Sequence, residues 1–272
     1  NLTRSSTMNV LVVGHPYVVG LNQAKLDTLT GKRTTVGLLV PKLWKSTELN
    51  LRFSLETPYP NIFVYSSHVL FPWRVGAYIF PPHILYRAFV EFRPDLVHVE
   101  QEVFALASFQ LAVCCAIVKV PLSLFCWENI DRPLAFPRRW TRWFVLRQAR
   151  LIVAGNKDAA TLLRCWGYEG RLAILPQFGV DLTMFYPRPK PSADKPFTIG
   201  FIGRLVYEKG VDTLLSALAL LKDRGYPIRA VIVGSGPEEP ALRTLAARVG
   251  LHEYVEWCGA VQIALIPQYI SS

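Results

Sequence analysis

Two cations five residues apart carry the strongest chemical signal in the chain. Arg204 follows Gly203, and Lys209 precedes Gly210, within TIGFIGRLVYEKGVDTLLSAL at residues 198–218. The stretch reads as an apolar strand, a glycine turn, an exposed Arg, an exposed Lys and an apolar helix. An α/β unit built this way presents fixed positive charge beyond the carboxyl end of a strand. Gly203, lacking a Cβ, permits a tight turn and close ligand approach. A guanidinium grips phosphate through two parallel hydrogen bonds, and an ammonium adds a point charge. The helix start adds about half a positive charge. A diphosphate is the natural occupant of such a place. The alternative is two cations on a solvated loop, and the motif alone leaves both open.

Gly234-Ser235-Gly236 also sits between a strand and a helix. Glu239 stands where a dinucleotide fingerprint needs its third glycine, so the pair reads as turn chemistry. In the first half, Gly14-His15-Pro16 and Gly20 follow the first strand, and Trp127-Glu128-Asn129 follow the strand at 122–126. His98 alternates with apolar neighbours and reads as a core or strand-end histidine. Residues 132–150 hold six arginines interleaved with Trp140, Trp143 and Phe144. On a helical wheel the arginines do not segregate from the aromatics. A solvated helix, an anionic membrane surface and other anions all remain open.

The elements that must position these groups follow from apolar periodicity. Strands are expected at 10–13, 36–40, 62–65, 96–99, 122–126, 151–154 and 172–175. Helices are expected at 22–29, 84–91, 103–118, 138–148 and 157–166. Runs such as LVHV, LSLFC and LIVA are too continuous for half-solvated strands and suit a parallel sheet covered on both faces. YPRPKPSADKP, residues 186–196, has four prolines and little apolar content and reads as an interdomain linker. A second series follows, with strands at 197–202, 228–233 and 254–257 and helices at 210–224 and 238–249. The expectation is two Rossmann-like domains, 8–190 and 191–272, facing a shared cleft. MNVLVVG at Met8 reads as a natural start, leaving residues 1–7 as an upstream extension.

Of 272 residues, 51% are hydrophobic and 18% charged, a core-forming composition. The net charge of +10 is uneven. Residues 1–190 hold 22 Lys and Arg against 12 Asp and Glu, whereas residues 191–272 hold 8 against 8. A basic first half suggests an anionic partner or a generically basic surface. Cys114, Cys115, Cys126, Cys165 and Cys258 are odd in number, lie mostly in apolar runs and lack CxxC spacing. They read as buried thiols in a reducing cytosol, with neither a disulfide frame nor a zinc site. The uncharged run 103–118 is better read as a buried helix than as a membrane span.

Taken whole, GRLVYEKGVDTLLSALALL, VIVGSGPEEPALRTLAARVGL and VEWCGAV, with ILPQFGVDLTMFYP upstream and RPDLVHV in the first half, resemble the retaining GT-B glycosyltransferases of sequence family four. The likeness is strong after Leu151 and loose before it. It implies an α/β fold of two Rossmann-like domains of GT-B type and a nucleotide-sugar donor. It also implies a glycan or lipid-linked acceptor and transfer with retention. Arg204 and Lys209 match the phosphate-binding pair, and no cofactor or metal is expected. No D-x-D occurs anywhere in the chain. Gly203, Gly234 and Gly259 would bound the donor site, with the base near 233–237 and 259–261. Gly20 is plausible as a ligand-approach glycine, although the loop HPYVVGLNQ has one glycine where the family commonly has a pair. A functional histidine is common after the strand at 122–126. Here Glu128 would take a charge or hydrogen-bond role, or simply pair with Arg132, and Asn129 would meet a sugar hydroxyl.

The cysteine pattern gives a cytoplasmic expectation, the lipid-linked acceptors common in the family keep a peripheral site at the inner membrane face among the readings, and no nucleic acid is expected as a partner of such a transferase. The family's paired-glutamate element, in the second half of the C-terminal domain, is not within these residues. The expectation is therefore an incomplete second domain with an exposed sheet edge, and a fragment inactive by itself. A non-catalytic nucleotide- or partner-binding module is the alternative, and a nucleic-acid-binding protein is a third reading.

Overall fold

Strand β1 (Met8–Val13) ends in four consecutive buried residues, and β2 (Thr34–Pro41) in six. Such runs cannot alternate between core and solvent, so helices must cover both faces of the sheet they form. The computed structural model describes residues 7–31, 33–46, 51–186 and 197–271. The chain divides into two units, one of Asn1–Ser46 and Arg52–Gly179 and one of Thr47–Leu51 and Val180–Ser272. The division falls before the expected boundary at 190. Of the expected linker only Tyr186 is described; residues 187–196 lie outside the described residues.

In the first unit the chain runs through α1 (Gly20–Asp27), β3 (Leu43–Ser46), β4 (Leu51–Ser54, its first residue counted with the second unit), β5 (Ile62–Ser67), α2 (Pro82–Tyr86) with a π-helical turn at Arg87–Glu91, and β6 (Leu96–Glu100). It continues with α3 (Leu106–Val118), β7 (Leu122–Cys126), α4 (Phe136–Gln148), β8 (Ala149–Ala154), α5 (Lys157–Cys165) and β9 (Arg171–Ile174). Seven strands pair in the order β5-β2-β1-β6-β7-β8-β9, every pairing parallel. The order reverses at β1/β6, the switch point beyond which α/β sheets hold ligands. Helix α3 ends where Lys119 takes a left-handed conformation, φ 58°, and Asn156 caps α5 by accepting from the Ala159 N–H at 2.7 Å.

The second unit has β10 (Phe197–Ile202), a 3-10 turn at Tyr207–Lys209, α6 (Val211–Asp223), β11 (Ile228–Val233), α7 (Glu239–Arg248), β12 (Val255–Gly259) and α8 (Ile266–Ile270). Its sheet is β10-β11-β12, again parallel. Leu205, Val211, Leu215, Ile232 and Leu251 form the centre of its own core.

The two-stranded β3/β4 sheet was not expected, because the charges of KLWKS and LRFS interrupt any clean period. The uncharged run 103–118 forms a helix only from Leu106, and no helix among the described residues is long and apolar enough to cross a membrane. Cys115 and Cys126 are buried; Cys165, on the outer side of α5, is exposed.

Leu124 lies fully buried at the centre of β7. Leu124→Ala should lower stability by about 2–5 kcal/mol in urea titrations of the whole chain. A loss below 1 kcal/mol would mean that β7 is not a central packed strand.

Candidate functional site

The three strands of the second unit end on glycine. The Gly203 N–H donates to the Val233 carbonyl at 2.9 Å, the Gly234 N–H to the Gly259 carbonyl at 2.8 Å, and the Leu205 N–H to the Ser235 carbonyl at 3.0 Å. The ladder therefore runs past the strand ends and draws the backbones together. A Cβ on Gly234 would lie 1.8 Å from the Gly203 oxygen, and its φ is +139°, so no other residue fits without moving the backbone. Gly210, at φ +62°, turns the chain into the N-terminus of α6. Gly259 is also left-handed, with open space where a Cβ would stand.

These ends enclose a cavity of about 320 Å³ lined by Ile202, Gly203, Arg204, Val233, Gly234, Ser235, Ala260 and Val261. Gly203, Arg204 and Gly234 are thus brought together, and Gly259 directly precedes the lining residue Ala260. Arg204 is half-buried there. Lys209 is exposed in the turn before α6 and is not among the lining residues. The cavity is lined by a guanidinium, backbone left open by the glycines and apolar side chains, which suits a phosphate joined to a flat apolar group. A larger cavity of about 690 Å³, lined by Arg147, Arg150, Glu169 and Arg171, lies at the amino ends of β8 and β9, away from the carboxyl edge.

In the first unit Gly20 heads α1, but its N–H donates to Glu56 Oε2 at 2.6 Å. A Cβ there would lie 2.8 Å from both Glu56 and Pro58. Its missing side chain makes room for protein groups. His98 Nδ1 sits 2.9 Å from Ser123 Oγ, and burial holds its pKa down, as suits a strand histidine. His15 stacks on Trp44 with ring centroids 4.4 Å apart, and burial lowers its pKa to about 4, so its imidazole is neutral.

Glu100 is saturated: Tyr17 Oη donates to it at 2.5 Å, Lys25 Nζ at 2.7 Å and Gln177 Nε2 at 2.9 Å. Glu102, which the sequence reading passed over, differs. Its Oε1 accepts the Trp127 N–H at 2.8 Å and the Glu128 N–H at 3.1 Å. Its Oε2 is buried without a partner among the described residues. Burial pushes its pKa up to about 7, opposed by those two N–H bonds and reinforced by the Glu128 charge. The signal was present in VEQE, two acids two residues apart closing a buried strand. Glu128 accepts the Ile130 N–H at 3.3 Å, and no ion pair joins it to Arg132 among the described residues. Asn129 is exposed beside it.

Helix α4 buries Thr141, Val145 and Leu146 and exposes Phe136, Trp140 and Trp143. Arg142 lies over the Trp166 ring at 4.4 Å and Arg147 over Trp143 at 4.7 Å, which explains the mixed helical wheel.

Residues 185–272 match the family described as Glycosyl transferases group 1. The chain is 35% identical over 147 residues to a GDP-mannose-dependent alpha-(1-6)-phosphatidylinositol monomannoside mannosyltransferase of Mycobacterium tuberculosis, covering 47% of this chain and 38% of that one. It is 37% identical over 127 residues to an alpha-D-kanosaminyltransferase of Streptomyces kanamyceticus, covering 47% and 28%. The chain spans well under half the length of these curated relatives. Among solved structures it is similar to the apo lipopolysaccharide outer core galactosyltransferase WaaB, with a TM-score of 0.57 at 15% identity over 97% of this chain and 72% of that one. The fold is α/β with Rossmann-like domains of GT-B type.

The raised pKa of Glu102 fixes the sign of a pH effect. The folded chain holds this proton more tightly than the unfolded chain, whose ordinary value is 4.5. The stabilisation is therefore complete below about pH 4.5 and is lost as pH rises to about 7, a swing of about 3 kcal/mol. Glu102→Gln should remove it. In urea titrations at pH 5 and pH 8, the variant should gain on the wild type at the higher pH. An equal gap at both values would show that Glu102 is not buried as a neutral acid.

Proposed function

We propose that this chain serves a glycosyltransferase that moves a sugar from a nucleotide-diphosphate sugar to a glycan or lipid-linked acceptor, keeping the anomeric configuration. The observation that carries the reading is the second unit's cavity. Its glycine strand ends and Arg204 lie within the segment that matches the transferase family. As the glycosidic bond breaks, charge develops on the leaving diphosphate. Arg204, Lys209 and the N-terminus of α6 would stabilise that charge without a metal ion. Gly203 and Gly234 let the phosphates approach the backbone, and Val233 with Val261 would pack against the base. Gly259 shapes the turn that brings Val261 in.

In the first unit, Glu128 would make a charged or hydrogen-bonded contact to the sugar or acceptor, and Asn129 would meet a sugar hydroxyl. We assign Gly20 to seating Glu56 and Pro58. The exposed aromatic and basic residues of α4 would rest on an anionic membrane surface carrying a lipid-linked acceptor, with no nucleic acid involved. The mannosyltransferase relative is named for a phosphatidylinositol-based lipid, which supports that acceptor class.

Calorimetric titration of the 272-residue chain should show saturable binding of UDP or GDP. Arg204→Ala and Lys209→Ala should each weaken it by about tenfold or more, and EDTA should leave it unchanged. Failure of both nucleotides to bind, or binding that needs a divalent ion, would remove this reading of the cavity.

Co-sedimentation with phosphatidylglycerol vesicles should exceed that with phosphatidylcholine, and Phe136→Glu with Trp143→Glu should abolish the difference. Equal sedimentation with both lipids would remove the membrane assignment.

A further inference from the structure

Trp127 is 51% exposed at the end of a strand whose own five residues are all buried. It is nevertheless held from several sides. A Cβ on Gly155, just past β8, would lie 1.9 Å from Trp127 Cε3 and 2.3 Å from Cζ3, so the six-membered ring of the indole rests directly on that glycine's backbone. The Gly155 N–H donates to the Cys126 carbonyl at 2.9 Å, which ties the seat to the residue before the tryptophan. The Phe125 ring lies near-parallel to the indole, centroids 6.2 Å apart at 25°. Glu102 Oε1 takes the N–H of Trp127 and of Glu128. Three residues after Glu128, Asp131 Oδ1 accepts from Trp166 Nε1 at 2.9 Å, which anchors the middle of the loop. A ring fixed in this way has already given up its side-chain freedom, so a ligand that stacks on it does not bear that cost.

The ring and its sequence neighbours select the ligand. Its π face is electron-rich, and Glu128 and Asn129 follow it directly with hydrogen-bonding side chains. A neutral ring with weakly positive C–H groups on one face and hydroxyls around its edge fits. The C–H face lies on the indole, and the hydroxyls meet the Asn129 amide and the Glu128 carboxylate. We propose that Trp127 is a stacking platform for a neutral hexopyranose ring, assigned to the acceptor. The assignment to the acceptor, though not the platform, rests on the transferase reading above.

Saturation-transfer NMR on the whole chain tests this with the methyl glycosides of glucose, galactose and mannose as probes. At least one should receive saturation on its ring C–H protons. Trp127→Leu should cut that transfer by about fivefold or more, Gly155→Ala should weaken it by lifting the ring from its seat, and Tyr226→Leu, at an exposed aromatic of the second unit with no assigned role, should leave it unchanged. Should Gly155→Ala fail to fold, the contrast between Trp127→Leu and Tyr226→Leu decides alone. No transfer to any glycoside, or transfer equally lost in Tyr226→Leu, overturns the platform. Nucleotide binding measured on the same sample separates the two readings. UDP or GDP binding without glycoside transfer keeps the transferase reading and overturns this one. Glycoside transfer without nucleotide binding supports the platform and withdraws the ring's assignment to an acceptor.

Discussion

Parallel pairing is the constraint on which the rest depends. All six pairings of the first sheet and both of the second run the same way within their sheet. Each unit therefore gathers its strand carboxyl ends, and the loops that follow them, along one edge. Groups far apart in sequence become neighbours for that reason alone. Gly203, Gly234 and Gly259 close one edge, and Glu100, Trp127 and Gly155 stand along the other. Parallel neighbours cannot be joined by short hairpins, so most strand-end loops lead into a helix, the β3/β4 ribbon between β2 and β5 being an exception, and loop composition is free to carry chemistry.

Glu100 and Glu102 show how that edge sorts similar residues into different roles. They are two residues apart at the end of one buried strand. Glu100 is met by a tyrosine, a lysine and a glutamine. It locks the 17–25 segment and the 177 loop to the sheet, and its chemistry is spent on structure. Glu102 meets only backbone N–H groups, both on one oxygen, and keeps the other oxygen buried and unpartnered. A carboxyl in that setting is more stable as the neutral acid, because desolvation falls on the charge and two N–H bonds do not offset it. The 127–129 turn is thus held by a group whose own protonation is poised near neutrality.

Much of the fold was legible. The strands of both sheets lie where continuous apolar runs place them, within a residue or two, and central strands such as β1, β2 and β7 are buried on both faces, which leaves no polar interruption to blur their limits. The β3/β4 ribbon was not legible, since its strands are short and carry charges at solvated positions. Type and spacing make Arg204 and Lys209 candidates, and the structure places Arg204 and two of the glycines around one cavity, with Lys209 outside its lining. The reason for Gly234 could not be found that way. It is the oxygen of Gly203, thirty-one residues earlier, brought to 1.8 Å of where a Cβ would stand. Gly20 misled for the matching reason: the group that fills its space, Glu56, comes from a stretch with no periodicity to announce it. Glu102 and Gly155 were missed because their significance is a tertiary contact and not a motif.

The placement of charge completes the physical picture. The excess of cations belongs to residues 1–190, and the sequence alone reads it as a sign of an anionic partner. In the fold a large part of it lies along α4 and at the amino ends of β8 and β9. Arg147, Arg150 and Arg171 line the cavity at those amino ends, whereas Arg138 and Arg139 stand in the first turn of α4, which begins at the carboxyl edge. Asp131 acts on Arg142, whose guanidinium lies over the Trp166 ring that donates to Asp131. Net charge is thus a poor guide to what either edge holds, because one helix carries the cations from one end of the sheet to the other.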